Sequence, residues 1–244
     1  MGRNMIDKSK HIALRERGVF LEKVYKLMGA GVVVHDPQRL DIRGVLTCGK
    51  NVEIDINVII EGEVVLEDGV YIGSSCILKN CKIGKNSSIN PFSLVEDSIV
   101  GENSFVGPYG RLRPGSLIAD NVQVGNFVEI KNAEIASKCR INHLSFVGDA
   151  DLAEGVTIGA GTITCNHNGT DINHTSIGKD AYVGSGCNLV APLKINSKST
   201  IASGSTITKD TPSNALTLAR SRQVVVEHWK GLKSRQQGTS KNIK

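Results

Sequence analysis

The strongest constraint on this 244-residue chain is an aliphatic residue that recurs every six positions. The series begins Ile54, Ile60, Leu66, Ile72, Leu78, resumes at Ile83 and Val100, resumes again at Ile135 and Leu152, and closes from Ile177 to Ile207. The resets before Ile158 are five-residue steps, at 78 to 83, 95 to 100, 130 to 135 and 147 to 152. Two residues before each rung stands a second small residue, such as Val52, Val58, Val64, Val70 or Cys76. Residues i−2 and i share one face of a strand, so each hexad supplies two inward side chains and then a corner. Three such faces close a triangular coil, and coils stack at about 4.8 Å. The pattern predicts an all-β fold, a parallel β-helix of hexapeptide repeats in which each coil packs only on its neighbours.

Composition agrees. Aromatic residues are only 4% of the chain, and the narrow interior of such a coil has little room for rings. Four of the six cysteines, Cys76, Cys81, Cys139 and Cys187, fall two before a rung, and Cys48 lies one hexad before Ile54. These five are read as small core residues, and Cys165 is left off the ladder. With no CxxC pair and no signal peptide in the polar stretch Met1–Lys10, the cysteines indicate a reducing, cytoplasmic setting. Ile6 stands where a myristoylation signal needs Ser or Thr. No run of about 18 apolar residues exists to cross a membrane, so no membrane partner is expected.

The ladder fails between Ile158 and Ile177, and Thr162–Thr170 reads as a loop leaving the solenoid, either a binding loop or a tolerated insertion. Before it begins, apolar residues at helical spacing from Ile12 to Met28 predict a helix stopped by Gly29 and Gly31. After it ends, a short helix is expected around Val224–Trp229, followed by a disordered tail. The organisation is therefore a helix in 1–30, a β-helix in 31–219 and a basic tail in 220–244. The net charge of +5 divides as +4, −5 and +6 over these segments, so the basic charge belongs to the ends and gives no case for nucleic acid.

On the solenoid wall, Arg113 and Lys131 are 18 residues apart with no reset between them, and each follows a rung. They should stack one coil apart. Two cations so placed either hold a bridging anion such as a phosphate, splay into solvent, or pair with Glu129. His143, two past Ile141, points outward about one coil from Lys131, either ordinary surface or a base beside an anion site. His143, His167 and His174 allow a metal reading, as in trimeric β-helix carbonic anhydrases, but their spacing fits no ligand pattern and no metal is expected. No Gly-x-Gly-x-x-Gly, Walker or Gly-x-Ser-x-Gly motif is present.

Several strings carry a specific resemblance: Arg111-Leu-Arg-Pro-Gly115, Val124-Gly-Asn-Phe-Val-Glu-Ile-Lys131, His143-Leu-Ser-Phe-Val-Gly-Asp149 and Ile158-Gly-Ala-Gly-Thr-Ile-Thr-Cys-Asn166. With Asp36-Pro37, Asp41-Ile-Arg-Gly44 and Leu189-Val-Ala-Pro192, they resemble the acetyltransferase half of the bacterial bifunctional N-acetylglucosamine-1-phosphate uridyltransferase / glucosamine-1-phosphate acetyltransferase family, from about Gly31 to Arg220. The resemblance implies a left-handed β-helix and a homotrimer with sites between chains. It implies acetyl transfer from acetyl-CoA to the amine of glucosamine-1-phosphate, in UDP-N-acetylglucosamine synthesis, without uridyl transfer, since that domain's glycine-rich loop has no counterpart here.

By the same resemblance His143 is the general base, and Arg113 and Lys131 hold the sugar phosphate. Phe146, Thr157, Asn166 and His167 occupy the remaining substrate positions. Asn166, Ser185, Ser203 and Arg220 would meet acetyl-CoA. Phe146 stands where the family usually has Tyr, Thr157 where it has Asn, and His167 where it has Tyr. Thr-Asp-Ile-Asn-His174 replaces a lysine-bearing segment. Each lost charge-assisted phosphate contact is worth roughly 1.5–3 kcal/mol, tenfold or more in binding. The expectation is weak affinity for this acceptor, or a different one. A hexapeptide acyltransferase for another amino sugar, or a non-catalytic trimerising module that binds CoA or sugar, are the alternatives.

Overall fold

The computed structural model describes residue 18 and residues 21–229. Nearly all of it is a parallel β-helix. One face is an 11-stranded sheet that takes one strand from each coil, and the other two faces join in a 14-stranded sheet. Successive coils are in register: Val124 lies against Ile141, Ile130 against Val147 and Ile135 against Leu152. Every aliphatic rung from Ile54 to Ile207 is at most 4% exposed. Cys76, Cys81, Cys139 and Cys187 are buried in the same core and Cys48 half-buried against it. Burial pushes the Cys76 and Cys139 thiols up to about 11 and the Cys81 thiol to about 12, so they stay protonated at neutral pH.

The five-residue steps mark a distinct kind of corner. There the chain turns in one residue at positive φ, at Asn80 (45°), Asp97 (43°), Asn132 (44°) and Asp149 (49°). Asn and Asp tolerate this left-handed conformation better than other side-chain-bearing residues. The turn is so tight that Ile77–Ile83, Glu129–Ile135 and Phe146–Leu152 continue through it as single strands. Inward serines are satisfied between coils: Ser104 Oγ donates to Ala119 O at 2.9 Å and Ser116 Oγ to Ile130 O at 3.1 Å.

A helix over 21–29 covers the open end of the first coils, with Val24 buried and Leu27 packed on the core beside Ile42 and Leu46. It ends where expected, with Gly31 at φ 97° and Val32 N–H donating back to Leu27 O at 3.1 Å. The expected helix start at Ile12 and the tail beyond Trp229 lie outside the described residues. Among those residues no helix is long and apolar enough to cross a membrane.

Two expectations are corrected. The hexad does not fail at Thr162. Ile163–Cys165 is a strand, and Thr164 fills the next rung, buried and in register with Leu189. Its β-branched shape suits the core, and its hydroxyl accepts from Gly148 N–H at 2.8 Å and donates to Gly148 O at 3.0 Å. The loop that leaves the wall begins at Asn166 and rejoins it before the strand Thr175–Ile177. The second correction concerns Val224–Trp229, which forms no helix. Three consecutive β-branched valines oppose a helix, and their side chains are exposed with no apolar face to bury.

Candidate functional site

His143 ends the strand Arg140–His143 on the first face, just before the Leu144 corner (φ 49°). Its side chain is exposed. Asn126, one coil below in register, places Oδ1 2.8 Å from His143 Nδ1. A carbonyl oxygen only accepts, so Nδ1 carries the proton and the lone pair of the neutral ring is on Nε2.

The rungs place three further residues above His143. Ile141, Ile158, Val183 and Ile201 are paired coil to coil. The residues two positions beyond each, His143, Ala160, Ser185 and Ser203, therefore form one column up the wall. Three coils at about 4.8 Å separate His143 from Ser203 by about 14 Å. Arg220 closes the top, its Nη1 donating to Ser203 O at 2.9 Å. The candidate CoA residues Ser185, Ser203 and Arg220 are thus aligned with the candidate base along a strip of small side chains.

Around the Leu144 corner lie the cations. Arg113 N–H donates to Ile130 O at 2.8 Å, so Arg113 and Lys131 do stack one coil apart. Each is drawn to its own carboxylate. Arg113 Nη1 meets Glu129 Oε1 at 2.9 Å, with Arg111 Nη1 4.0 Å from the other Glu129 oxygen, while Lys131 Nζ lies 3.6 Å from Asp149 Oδ2. Pairing with Glu129, one of the options open for the two cations, holds for Arg113. The partner of Lys131 is a residue the pattern did not single out.

Asp149 is 5% exposed. Its Oδ1 accepts from Asn132 Nδ2 at 2.6 Å and its Oδ2 from Asn166 Nδ2. Burial alone would raise this carboxyl. The two amides and Lys131 outweigh burial and hold it below the usual aspartate value. A signal for it existed in the sequence: the five-residue step from Val147 to Leu152 puts Asp149 at the corner position that Asn132 holds one coil below.

Phe146 opens the strand Phe146–Leu152, and its ring folds over Gly148. A Cβ at Gly148 would come within 2.5 Å of the ring and 3.2 Å of Asn166 Nδ2, so Phe146 and Asn166 border one small space. The loop above is cross-linked by its own hydrogen bonds. Asn173 N–H donates to Asn166 O at 2.6 Å, and Asn168 Oδ1 accepts from Thr170 N at 3.0 Å and Asp171 N at 2.7 Å. The three histidines find separate partners, since His167 Nδ1 accepts from Gly169 N–H at 3.1 Å and His174 Nε2 lies 3.0 Å from Asp151. Among the described residues no group of three His, Cys, Asp or Glu is placed to hold a metal ion.

One candidate is not brought to the rest. Thr157 pairs with Arg140 and Tyr182, three residues before Ala160, about 10 Å along the strand from the His143 column. A groove of about 620 Å³ lies on another face, beside Leu117, Asp151 and Lys194, and holds none of the candidate residues.

Fold and site define a hexapeptide-repeat β-helix with a tautomer-fixed histidine on its wall. Comparison with known proteins narrows this class. Residues 42–142 match the family model of the GMPPB C-terminal domain. The chain is 49% identical over 216 residues to the bifunctional protein GlmU of Nitrosospira multiformis, covering 86% of this chain and 47% of that protein. It is 51% identical over 204 residues to GlmU of Nitrosomonas eutropha, covering 84% and 44%. Among solved structures, LpxA from Acinetobacter baumannii is similar at 20% identity and TM-score 0.40, covering 77% of this chain and 71% of that one. The chain is a homologue of the bifunctional GlmU proteins and spans about half the length of the curated relatives it matches.

Proposed function

We propose that this chain is an acetyltransferase that moves the acetyl group of acetyl-CoA onto the amine of glucosamine-1-phosphate, giving N-acetylglucosamine-1-phosphate for UDP-N-acetylglucosamine synthesis. The observation that carries the reading is the His143 column: a base with Nε2 free, at the foot of a strip of small residues that ends at Arg220. Acetyl-CoA lies along that strip with its thioester near His143 and its phosphates toward Arg220. The acceptor sits around the Leu144 corner, its phosphate on Arg113 and Lys131 and its amine near Asn166.

His143 Nε2 takes a proton from the acceptor amine as the nitrogen attacks the thioester carbon. The new C–N bond gives a tetrahedral oxyanion, which backbone N–H groups of the coils stabilise. The C–S bond then breaks, and the imidazolium returns the proton to the leaving CoA thiolate.

The working unit is a homotrimer with each site between chains. Two observations support a second copy at this wall. Thr157 lies about 10 Å from the His143 column within one chain. Phe92, Tyr109 and Phe127 also form an exposed stacked rib, with ring centroids 5.0 Å apart, on the corner that continues into Leu144 beside His143.

The Phe146 ring, together with a 166–174 loop free of lysine, favours a second reading in which the same chemistry serves a different amino sugar. Thiol release from acetyl-CoA decides. Release that depends on glucosamine-1-phosphate and is lost in His143→Ala supports the first reading. Release only with another amino sugar supports the second. No release with any amino sugar overturns both and leaves a binding module.

A further inference from the structure

The corners at Asn80–Asp97 and Asn132–Asp149 are the same device built twice. In each pair the lower asparagine donates Nδ2 to the upper aspartate Oδ1, at 3.0 Å for Asn80–Asp97 and 2.6 Å for Asn132–Asp149. All four residues have positive φ between 43° and 49°. The lower pair shows what the corner itself requires: one amide on one carboxylate oxygen, with Asp97 left exposed. The upper pair has more. Asp149 is buried, and its second oxygen receives Asn166 Nδ2 and faces Lys131. The surplus over the lower pair consists of contacts to two candidate substrate residues.

A carboxylate only accepts hydrogen bonds. Asn166 must therefore turn its NH2 toward Asp149, which leaves Asn166 Oδ1 as the atom free to face away from it. We infer that Asp149 is a positioning residue that sets the amide orientation of Asn166, so that the site offers a carbonyl oxygen rather than an NH2 to the acceptor. An acceptor matched to that oxygen carries N–H, as an amine does. The same carboxylate lies 3.6 Å from Lys131 and offsets part of its positive charge. This rests on the acetyl-transfer reading for the identity of the acceptor. The orientation of Asn166 does not.

Asp149→Asn tests it, with Asp97→Asn as the corner control. In Asp149→Asn the new side chain can still accept from Asn132 through Oδ1, but it then presents an NH2 to the NH2 of Asn166, and Asn166 turns over. The kcat of acetyl transfer should fall by about tenfold or more, the scale of a charge-assisted hydrogen bond. KM for the sugar phosphate should not rise, because removing a negative charge beside Lys131 leaves the site more attractive to phosphate. Asp97→Asn should leave both constants unchanged. Side-chain amide NMR in the full chain adds a readout independent of turnover: the Asn166 NH2 resonance should shift in Asp149→Asn and not in Asp97→Asn. An unmoved Asn166 resonance, or equal losses in both variants, overturns the inference. If wild type transfers no acetyl group, the acetyl-transfer reading fails and the NMR comparison alone decides the inference.

Discussion

Asn126 Oδ1 and His143 Nδ1 lie 2.8 Å apart across adjacent coils, so the register of the β-helix itself assigns the tautomer of the histidine. Asn126→Ala removes that hydrogen bond without touching the base. Its kcat should fall by about tenfold, the worth of an orienting hydrogen bond, with little change in KM for either substrate. Asn126→Asp keeps an acceptor and adds a charge. A carboxylate favours imidazolium, so the acidic limb of the kcat/KM profile should move to higher pH. Steady-state kinetics across pH check both.

Phe146 lies over Gly148, which is in register with Lys131 of the proposed anion site. Phe146→Tyr should lower KM for glucosamine-1-phosphate, by up to about tenfold if the hydroxyl gains a charge-assisted bond. Gly148→Ala should raise that KM, because the new methyl displaces the ring from the space it shares with Asn166. Acceptor titrations at saturating acetyl-CoA separate the two, and an unchanged KM in both would remove Phe146 from the acceptor site.

Tyr109 is stacked between Phe92 and Phe127, with interplanar angles of 7° and 13°. A rib of rings about half exposed in one chain is apolar area available to another copy. On the proposed homotrimer, Tyr109→Glu should shift the mass measured by light scattering from trimer to monomer and abolish transfer, while the circular dichroism of the β-helix persists. A trimer that survives the substitution would place the interface elsewhere.

Glu154 lies between Lys138 at 2.6 Å and Lys179 at 2.8 Å, and these two ammonium groups hold its carboxyl down to about 2. A carboxylate whose folded value is depressed adds stability that is present above its ordinary value, 4.5, and is lost as pH falls toward 2. Glu154→Gln should therefore melt below wild type at neutral pH by a small margin, as befits an exposed ion pair. The two melting curves should converge in acid. Thermal melts from pH 7 to pH 2 measure this.

The fold was legible because a strand buries alternate residues and a triangular coil repeats them every six. Ile54 through Ile207 could hardly satisfy that spacing in another way. Thr164 escaped because the ladder was sought in aliphatic residues, and a buried threonine is told from a loop residue only by the hydrogen bonds its hydroxyl makes. The stacking of Arg113 under Lys131 followed from counting. Glu129, the partner of Arg113, was among the options it left open, but Asp149 beside Lys131 was not, because period places a side chain in a column without saying which neighbour it turns to. Asp149 had a positional signal in its five-residue step, yet its role depends on Asn166, which lies beyond the next rung. Val224–Trp229 misled because its apolar content resembles a helix face, whereas three adjacent valines cannot be confined to one.

The column from His143 to Ser203 makes the solenoid a ruler. Distance along the wall is counted in whole coils, so the reach from the base to the Arg220 cation changes only in steps of about 4.8 Å. A donor with a longer arm would need a coil inserted between Ala160 and Ser185, and one with a shorter arm a coil deleted. Point substitutions on this wall can alter what is held at each mark, but not the spacing of the marks.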